Sequence, residues 1–150
     1  MGAGVTLAKV TASAIGCASP TAGPAKSSTP PAAAPPAAND GALDALAVEL
    51  ASCRRVGDDC LAHCLRQFAA GDTMMAECAQ RTSAMLAICD AMARVVALRS
   101  ELARSLAPTC KLACSECAAA CKPHVGHAAE CKACFEACAA AQLALANAFA

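Results

Sequence analysis

The sequence contains no tryptophan and no tyrosine, and only three of its 150 residues are phenylalanine. This scarcity argues against a core built on large aromatic side chains. Neither sign of charge is in excess, because twelve lysines and arginines balance twelve aspartates and glutamates. Proteins that bind nucleic acid or an anionic membrane surface present a basic face. We therefore predict that nucleic acid is not a partner.

Signatures of catalysis are also lacking. The sequence has no carboxylate pair placed for acid–base chemistry, no nucleophile elbow and no glycine-rich phosphate loop. The protein is therefore predicted not to be an enzyme. Its N-terminal apolar stretch is too short and too weakly apolar for a stable transmembrane helix, so no such helix is expected.

The N-terminal segment differs in composition from the rest of the chain. Residues 1–17 are small and mildly apolar, with Lys9 as their one charge, which is typical of an export leader. The stretch AIGC resembles a bacterial lipobox, in which Cys17 would carry a lipid anchor. Residues 18–39 hold six of the eight prolines and are predicted to form a disordered Pro/Ala-rich linker. We expect an exported, periplasmic protein, with a cytoplasmic one as the alternative.

Beyond the linker, alanine-rich sequence is interrupted at few positions. Gly71 is expected to end a first helix, and Asp72 can cap a second helix that runs to about Leu106. Pro108 is predicted to open a third helix, and Pro123 lies in the break before a fourth. Short connections make successive helices antiparallel.

These breaks together predict the fold. We expect an all-α protein in which residues 40–150 form an antiparallel up-down-up-down four-helix bundle.

Cysteine is the residue that the chain has in excess, with thirteen copies. The cysteines of CKLACSECAAAC, residues 110–121, recur every three or four positions, which places them on one face of a helix. Each predicted helix carries one such cysteine stripe, and three of the stripes span about 16 Å of helix. Twelve cysteines are therefore predicted to line the bundle interior as metal ligands: Cys53, Cys60, Cys64, Cys78, Cys89, Cys110, Cys114, Cys117, Cys121, Cys131, Cys134 and Cys138.

Several functions would use such an interior. Buried free cysteines can pack as small hydrophobic residues, and cysteines on different helices could form disulfides. Cys114 and Cys117, followed by Cys131 and Cys134, have the spacing of a four-cysteine zinc site. A thiol-rich redox or detoxification protein would need the same sulfur atoms. Zinc binding and redox protection stay open as alternatives.

Copper(I) is the ion that the pattern favours. It is a soft ion that prefers thiolate and thioether ligands. Cysteines four residues apart on one helix could supply two thiolates to each ion, as in four pairs: Cys60/Cys64, Cys110/Cys114, Cys117/Cys121 and Cys134/Cys138. One Cu(I) per thiolate would also neutralise a buried charge that is otherwise unfavourable. The prediction is storage of multiple Cu(I) ions per chain.

The two ends of the predicted bundle differ. Antiparallel connectivity brings four weaker copper ligands to one end, which we call the mouth: Met74, Met75, His124 and His127. We predict that copper enters there. The opposite end is expected to form an apolar plug from five side chains: Val96, Leu98, Leu143, Leu145 and Phe149.

The combination CKLACSECAAAC followed by HVGHAAECKACFEAC, with sparser cysteines upstream, resembles the bacterial copper storage proteins. That family consists of four-helix bundles lined by cysteines. The resemblance implies storage of many Cu(I) ions per chain, with copper ions as the binding partner. It also implies a homo-oligomer, usually a homotetramer.

Overall fold

The structure is a computed structural model that describes residues 40–150. The predicted leader at residues 1–17, the lipid anchor at Cys17 and the predicted disordered linker at residues 18–39 lie outside the described residues. These interpretations, and the start of the bundle domain at residue 40, remain predictions.

Four α-helices build the described part of the chain: α1 (Asp40–Ala69), α2 (Ala76–Ala97), α3 (Leu102–Cys121) and α4 (Ala129–Ala148). A short 3₁₀ turn, Lys122–His124, follows α3. Each helix packs against the next along the chain, and α4 closes the square by packing against α1. The predicted all-α four-helix bundle with up-down-up-down connectivity is confirmed.

The turn after α1 has the geometry that the sequence predicts. Gly71 adopts a positive φ of 86°, a left-handed conformation that glycine reaches without a side-chain clash. Its N–H donates to Phe68 O at 3.0 Å, and the N–H of Asp72 donates to Gln67 O at 2.9 Å. This pair of bonds is the Schellman motif that ends many helices. Asp72 accepts a bond from the Met74 N–H, but α2 begins at Ala76 after Met75 as its N-cap residue, so the predicted cap at Asp72 is wrong.

The predicted limits of α2 and α3 are wrong. The helix α2 ends at Ala97, and the residue in the left-handed conformation is Arg99, with a φ of 51°. The N–H groups of Arg99 and Ser100 end the helix with the same pair of hydrogen bonds as those of Gly71 and Asp72, and the Arg99 guanidinium pairs with Asp44 on α1. Pro108 lies inside α3 rather than at its start. Since sequence rules look for glycine at this position, they overlooked Arg99.

The buried positions of all four helices follow one regular spacing, and these positions form the core. Each helix buries six positions spaced alternately four and three residues apart, the spacing of coiled-coil seams. At the end opposite the mouth these positions hold apolar side chains: Leu46, Leu50, Met92, Val96, Ala103, Ala107, Leu145 and Ala148. The predicted plug was partly wrong, because Leu98 and Leu143 are 78% and 65% exposed, outside the seams.

Candidate metal centre

The bundle interior is lined by sulfur. All twelve cysteines that the sequence places on the cysteine stripes are buried, and all twelve are free thiols. They occupy inward positions on every helix, from the mouth to just beyond the middle of the bundle. The alternative of disulfides between helices is therefore not observed within residues 40–150.

The shortest sulfur–sulfur distances join different helices. Cys78 and Cys121 approach to 3.5 Å, and Cys117 and Cys134 approach to 3.6 Å. At the deep end of the column, Cys89 lies 3.8 Å from Cys110. The arrangement therefore differs from a ladder of two-cysteine sites along single helices.

Groups of three sulfur atoms that lie within 4.8 Å of one another are Cys53/Cys114/Cys138, Cys60/Cys121/Cys134, Cys60/Cys64/Cys78, Cys89/Cys110/Cys114 and Cys117/Cys134/Cys138. Metal–sulfur bonds are about 2.3 Å long for zinc, so two sulfur atoms on one ion can lie up to about 4.6 Å apart. Three of the predicted pairs along one helix belong to these groups, each with a third cysteine from another helix. Because neighbouring groups share cysteines, they form one continuous column of candidate sites.

A denser group lies next to the mouth. Cys60 approaches Cys78, Cys121 and Cys131 to between 3.8 and 4.0 Å, and Cys131 also lies 3.9 Å from Cys78. The four cysteines whose spacing fits a zinc site, an alternative that the sequence left open, do not form one group. Cys131 joins this group, whereas Cys114 joins groups deeper in the bundle.

One polar residue, Thr82, lies among the sulfur atoms of the column. Thr82 on α2 is fully buried, and its hydroxyl lies 3.5 Å from Cys117 Sγ and 4.0 Å from Cys60 Sγ. Sequence reasoning missed Thr82, although it follows Cys78 by four residues and so shares its stripe. The hydroxyl can donate a hydrogen bond to a thiol or thiolate sulfur at this point.

The thiols differ in acidity. Burial first, and then the negative charges of Cys78 and Cys60, raise the pKa of Cys64 from 9.0 to about 12. Burial likewise raises the pKa of Cys131 above the ordinary value. Hydrogen bonds from Cys121 and Cys134 instead lower the pKa of Cys117. Hydrogen bonding between the thiols and burial therefore act in opposite directions on their acidity.

The residues predicted at the mouth come together around one cleft of about 430 Å³. Its lining includes Met74, Met75, His124 and His127, where Met75 is buried and Met74 is 77% exposed. His124 Nδ1 lies 3.4 Å from His127 Nε2. His63, which the sequence analysis did not place there, lines the same cleft.

His63 reaches the mouth from the last turns of α1. Its Nδ1 lies 3.4 Å from the Glu130 carboxylate, which also accepts a bond from Arg66. Its place near the C-terminal end of α1, which is the end that meets the start of α2, is the signal that could have identified it.

Residues 40–148 match the copper storage protein family. The chain belongs to this family. The resemblance carried by CKLACSECAAAC and the downstream cysteines is therefore confirmed. Storage of Cu(I), with several ions per chain, is likewise confirmed as the function by the family and by the clustered cysteines.

A similar solved structure is that of a cytosolic copper storage protein from Streptomyces lividans, which shows copper loading with five coppers. The two chains are 22% identical, with a TM-score of 0.67, over 74% of this chain and 94% of that chain. This likeness establishes a shared fold. Among curated proteins no match is found.

The expected export to the periplasm is wrong. The similar Streptomyces copper storage protein is described as cytosolic, which contradicts this expectation. The expectation relied on the composition of residues 1–17, and small, mildly apolar residues are frequent in alanine-rich sequence whether or not it is exported. No helix within residues 40–150 is long and apolar enough to cross a membrane.

Proposed function

We propose that the twelve buried cysteines are the copper ligands of this storage protein and that they act as one column. The proposal is supported by the overlap of the sulfur groups, since each group shares a cysteine with the next from the mouth to Cys89 and Cys110. Thiolates bind Cu(I) strongly because both partners are soft. A column of overlapping groups allows an ion to pass inward by exchanging one sulfur at a time.

Proton release balances the charge during loading. Twelve buried thiolates without counterions would be strongly destabilised in a core of low polarity. Each Cu(I) that replaces a thiol proton leaves the interior with the same net charge. The protein can therefore accumulate many ions without the electrostatic repulsion that would otherwise unfold the bundle.

Copper enters at the mouth in this proposal. Met75 is buried directly under the cleft, while Met74 and His127 are exposed at its rim. Thioether and imidazole ligands bind Cu(I) without the loss of a thiol proton, so they suit transient binding ahead of the thiolates. At the opposite end the described seam positions carry hydrocarbon side chains, with Met92 as the one thioether among them.

The protein works in the cytoplasm as a store and not as an enzyme, according to this proposal. It also assembles as the homotetramer that the family resemblance implies. Exposed apolar side chains support self-association, notably Val48 on α1 and Leu143 on α4, which are 67% and 65% exposed. Light scattering on the reduced full chain measures the assembly, and a monomer at micromolar concentration would refute it.

Titration with Cu(I) against a chromophoric competitor tests the proposed ligands. The expected capacity is close to the number of bundle cysteines, and the Cys17→Ser variant should keep it. Absorption by copper thiolates is easy to follow because the chain contains no tryptophan or tyrosine. Saturation at one or two equivalents would reject the column. A large loss of capacity in the Cys17→Ser variant would show that the bundle is not the sole reservoir.

A further inference from the structure

A methionine lies within the sulfur column, away from the mouth. The Sδ atom of Met85 on α2 is 3.6 Å from Cys53 Sγ, and the thiol donates a hydrogen bond to the thioether. Both side chains are completely buried. Cys53 belongs in turn to the sulfur group that it forms with Cys114 and Cys138. The thioether is thus placed beside an existing candidate copper site.

Space for this side chain is provided by a glycine on the facing helix. Gly57 occupies an inward position of α1, between Cys53 and Cys60, where the other helices carry a side chain. A Cβ atom added at Gly57 would lie 2.8 Å from Met85 Cε and 2.9 Å from Leu86 Cδ2. The methyl group of Met85 therefore fills the room that Gly57 leaves, and this packing holds its sulfur atom next to Cys53.

The chemistry of the pair suits a soft monovalent ion. Thioether sulfur is a neutral ligand for Cu(I), and two sulfur atoms 3.6 Å apart lie within the reach of one ion. When Cu(I) enters, the Cys53 proton leaves to solvent and the ion takes its place between the two sulfur atoms. One cation, one thiolate and one neutral thioether give a site without net charge, which a buried position favours.

We infer that Met85 is a Cu(I) ligand that forms a mixed thiolate–thioether site with Cys53, in contact with the group of Cys114 and Cys138. This inference rests on the proposed function of the column. It adds a ligand that the cysteine pattern does not include, and it places that ligand deep in the bundle rather than at its entrance.

Met92 offers a matched control on the same helix. It is as fully buried as Met85 and follows it by seven residues, so it occupies an equivalent inward position. It lies beyond Cys89, toward the end where the seam positions are apolar. A purely packing role for buried methionine would make the two residues respond alike to copper.

Selenium X-ray absorption of the selenomethionine-labelled full chain tests the inference. Met74 and Met75 are replaced by leucine, which removes signals from the mouth, and copper uptake is measured on the same sample. We expect a copper neighbour at bonding distance from selenium. Adding Met85→Leu should abolish this signal, and adding Met92→Leu should leave it intact.

The possible outcomes separate the two proposals. Normal copper uptake without a selenium–copper signal, or a signal that survives Met85→Leu, overturns the role of Met85 alone. Failure of the chain to take up copper rejects the proposed column and this site together. If Met85→Leu does not fold, as judged by circular dichroism, the chain with Met74 and Met75 replaced by leucine is compared with the same chain carrying Met92→Leu. A selenium–copper signal in both supports Met85 as a ligand, and its absence from both rejects that role.

Discussion

Cys78 Sγ and Cys121 Sγ lie 3.5 Å apart, although 43 residues separate them in the chain and they belong to different helices. Contacts of this kind recur along the interior, from Cys53 with Cys138 to Cys89 with Cys114. The candidate copper sites therefore depend on how the helices are packed as well as on the spacing of cysteines within each helix. Variants that alter one member of such a contact should affect ligands contributed by other helices.

Removal of the Cys78–Cys121 pair should lower copper capacity. The double variant Cys78→Ala and Cys121→Ala takes away two sulfur atoms from the group next to the mouth, so competitor titration should show fewer bound Cu(I) ions. Each truncation should destabilise the bundle by only about 1 kcal/mol, since a single heavy atom is lost. An unchanged capacity would mean that these thiols are not ligands, and the Cys17→Ala variant controls for the loss of a cysteine outside the bundle.

Replacement of the mouth residues should change rates and not capacity. A chain that carries Met74→Leu, Met75→Leu, His124→Ala and His127→Ala should load copper more slowly and release it more slowly to a chelator. Total uptake should remain nearly the same because the cysteines are intact. Stopped-flow measurements test this, with Leu98→Ala at the opposite end as the control. Equal rates in the two variants would place the entrance elsewhere.

The breaks at Gly71 and Pro123 were enough to predict the four-helix fold, and the helical spacing of the cysteines was enough to predict the buried stripes. A cysteine at every third or fourth position, as from Cys110 to Cys121, places all of these side chains on one face of the helix. Which sulfur atoms meet could not be predicted, because that depends on the vertical offset between helices. The end of α2 was not predicted, because the residue in the left-handed conformation there is Arg99, whereas sequence rules expect glycine at such a position.

The hydroxyl of Thr82 should contribute little to the stability of the reduced, metal-free bundle. Its hydroxyl lies 3.5 Å from the Cys117 sulfur, and sulfur is a weak hydrogen-bond acceptor. The variant Thr82→Val keeps the shape and removes the buried polar group, so its free energy of unfolding should be equal or higher. Thr82→Ala, which leaves a cavity, should be less stable by about 1 kcal/mol. Chemical denaturation under reducing conditions measures both, and a marked loss in Thr82→Val would show that the hydroxyl bond matters.

Alkaline pH should destabilise the metal-free protein more than the loaded one. The pKa of Cys64 is raised from 9.0 to about 12 in the folded state, mainly by burial. Between these values the unfolded chain releases a proton that the folded chain still holds, so stability falls as pH rises from about 9 towards 12. Thermal unfolding across this range should show the loss, which should be smaller in Cys64→Ser. Copper-bound thiolates have already lost their protons, so the loaded protein should keep its stability. An equal loss of stability in a copper-loaded sample would contradict the assignment of Cys64 as a copper ligand.

Inward positions alternate four and three residues apart, and this spacing limits how such a store can change in size. An insertion of one residue would rotate every later side chain of that helix by about 100° and turn its sulfur atoms towards solvent. An insertion of seven residues preserves the seam and lengthens the helix by about 10 Å. Sequence changes that enlarge or reduce the store without disordering it must therefore come in whole heptads, matched on all four helices.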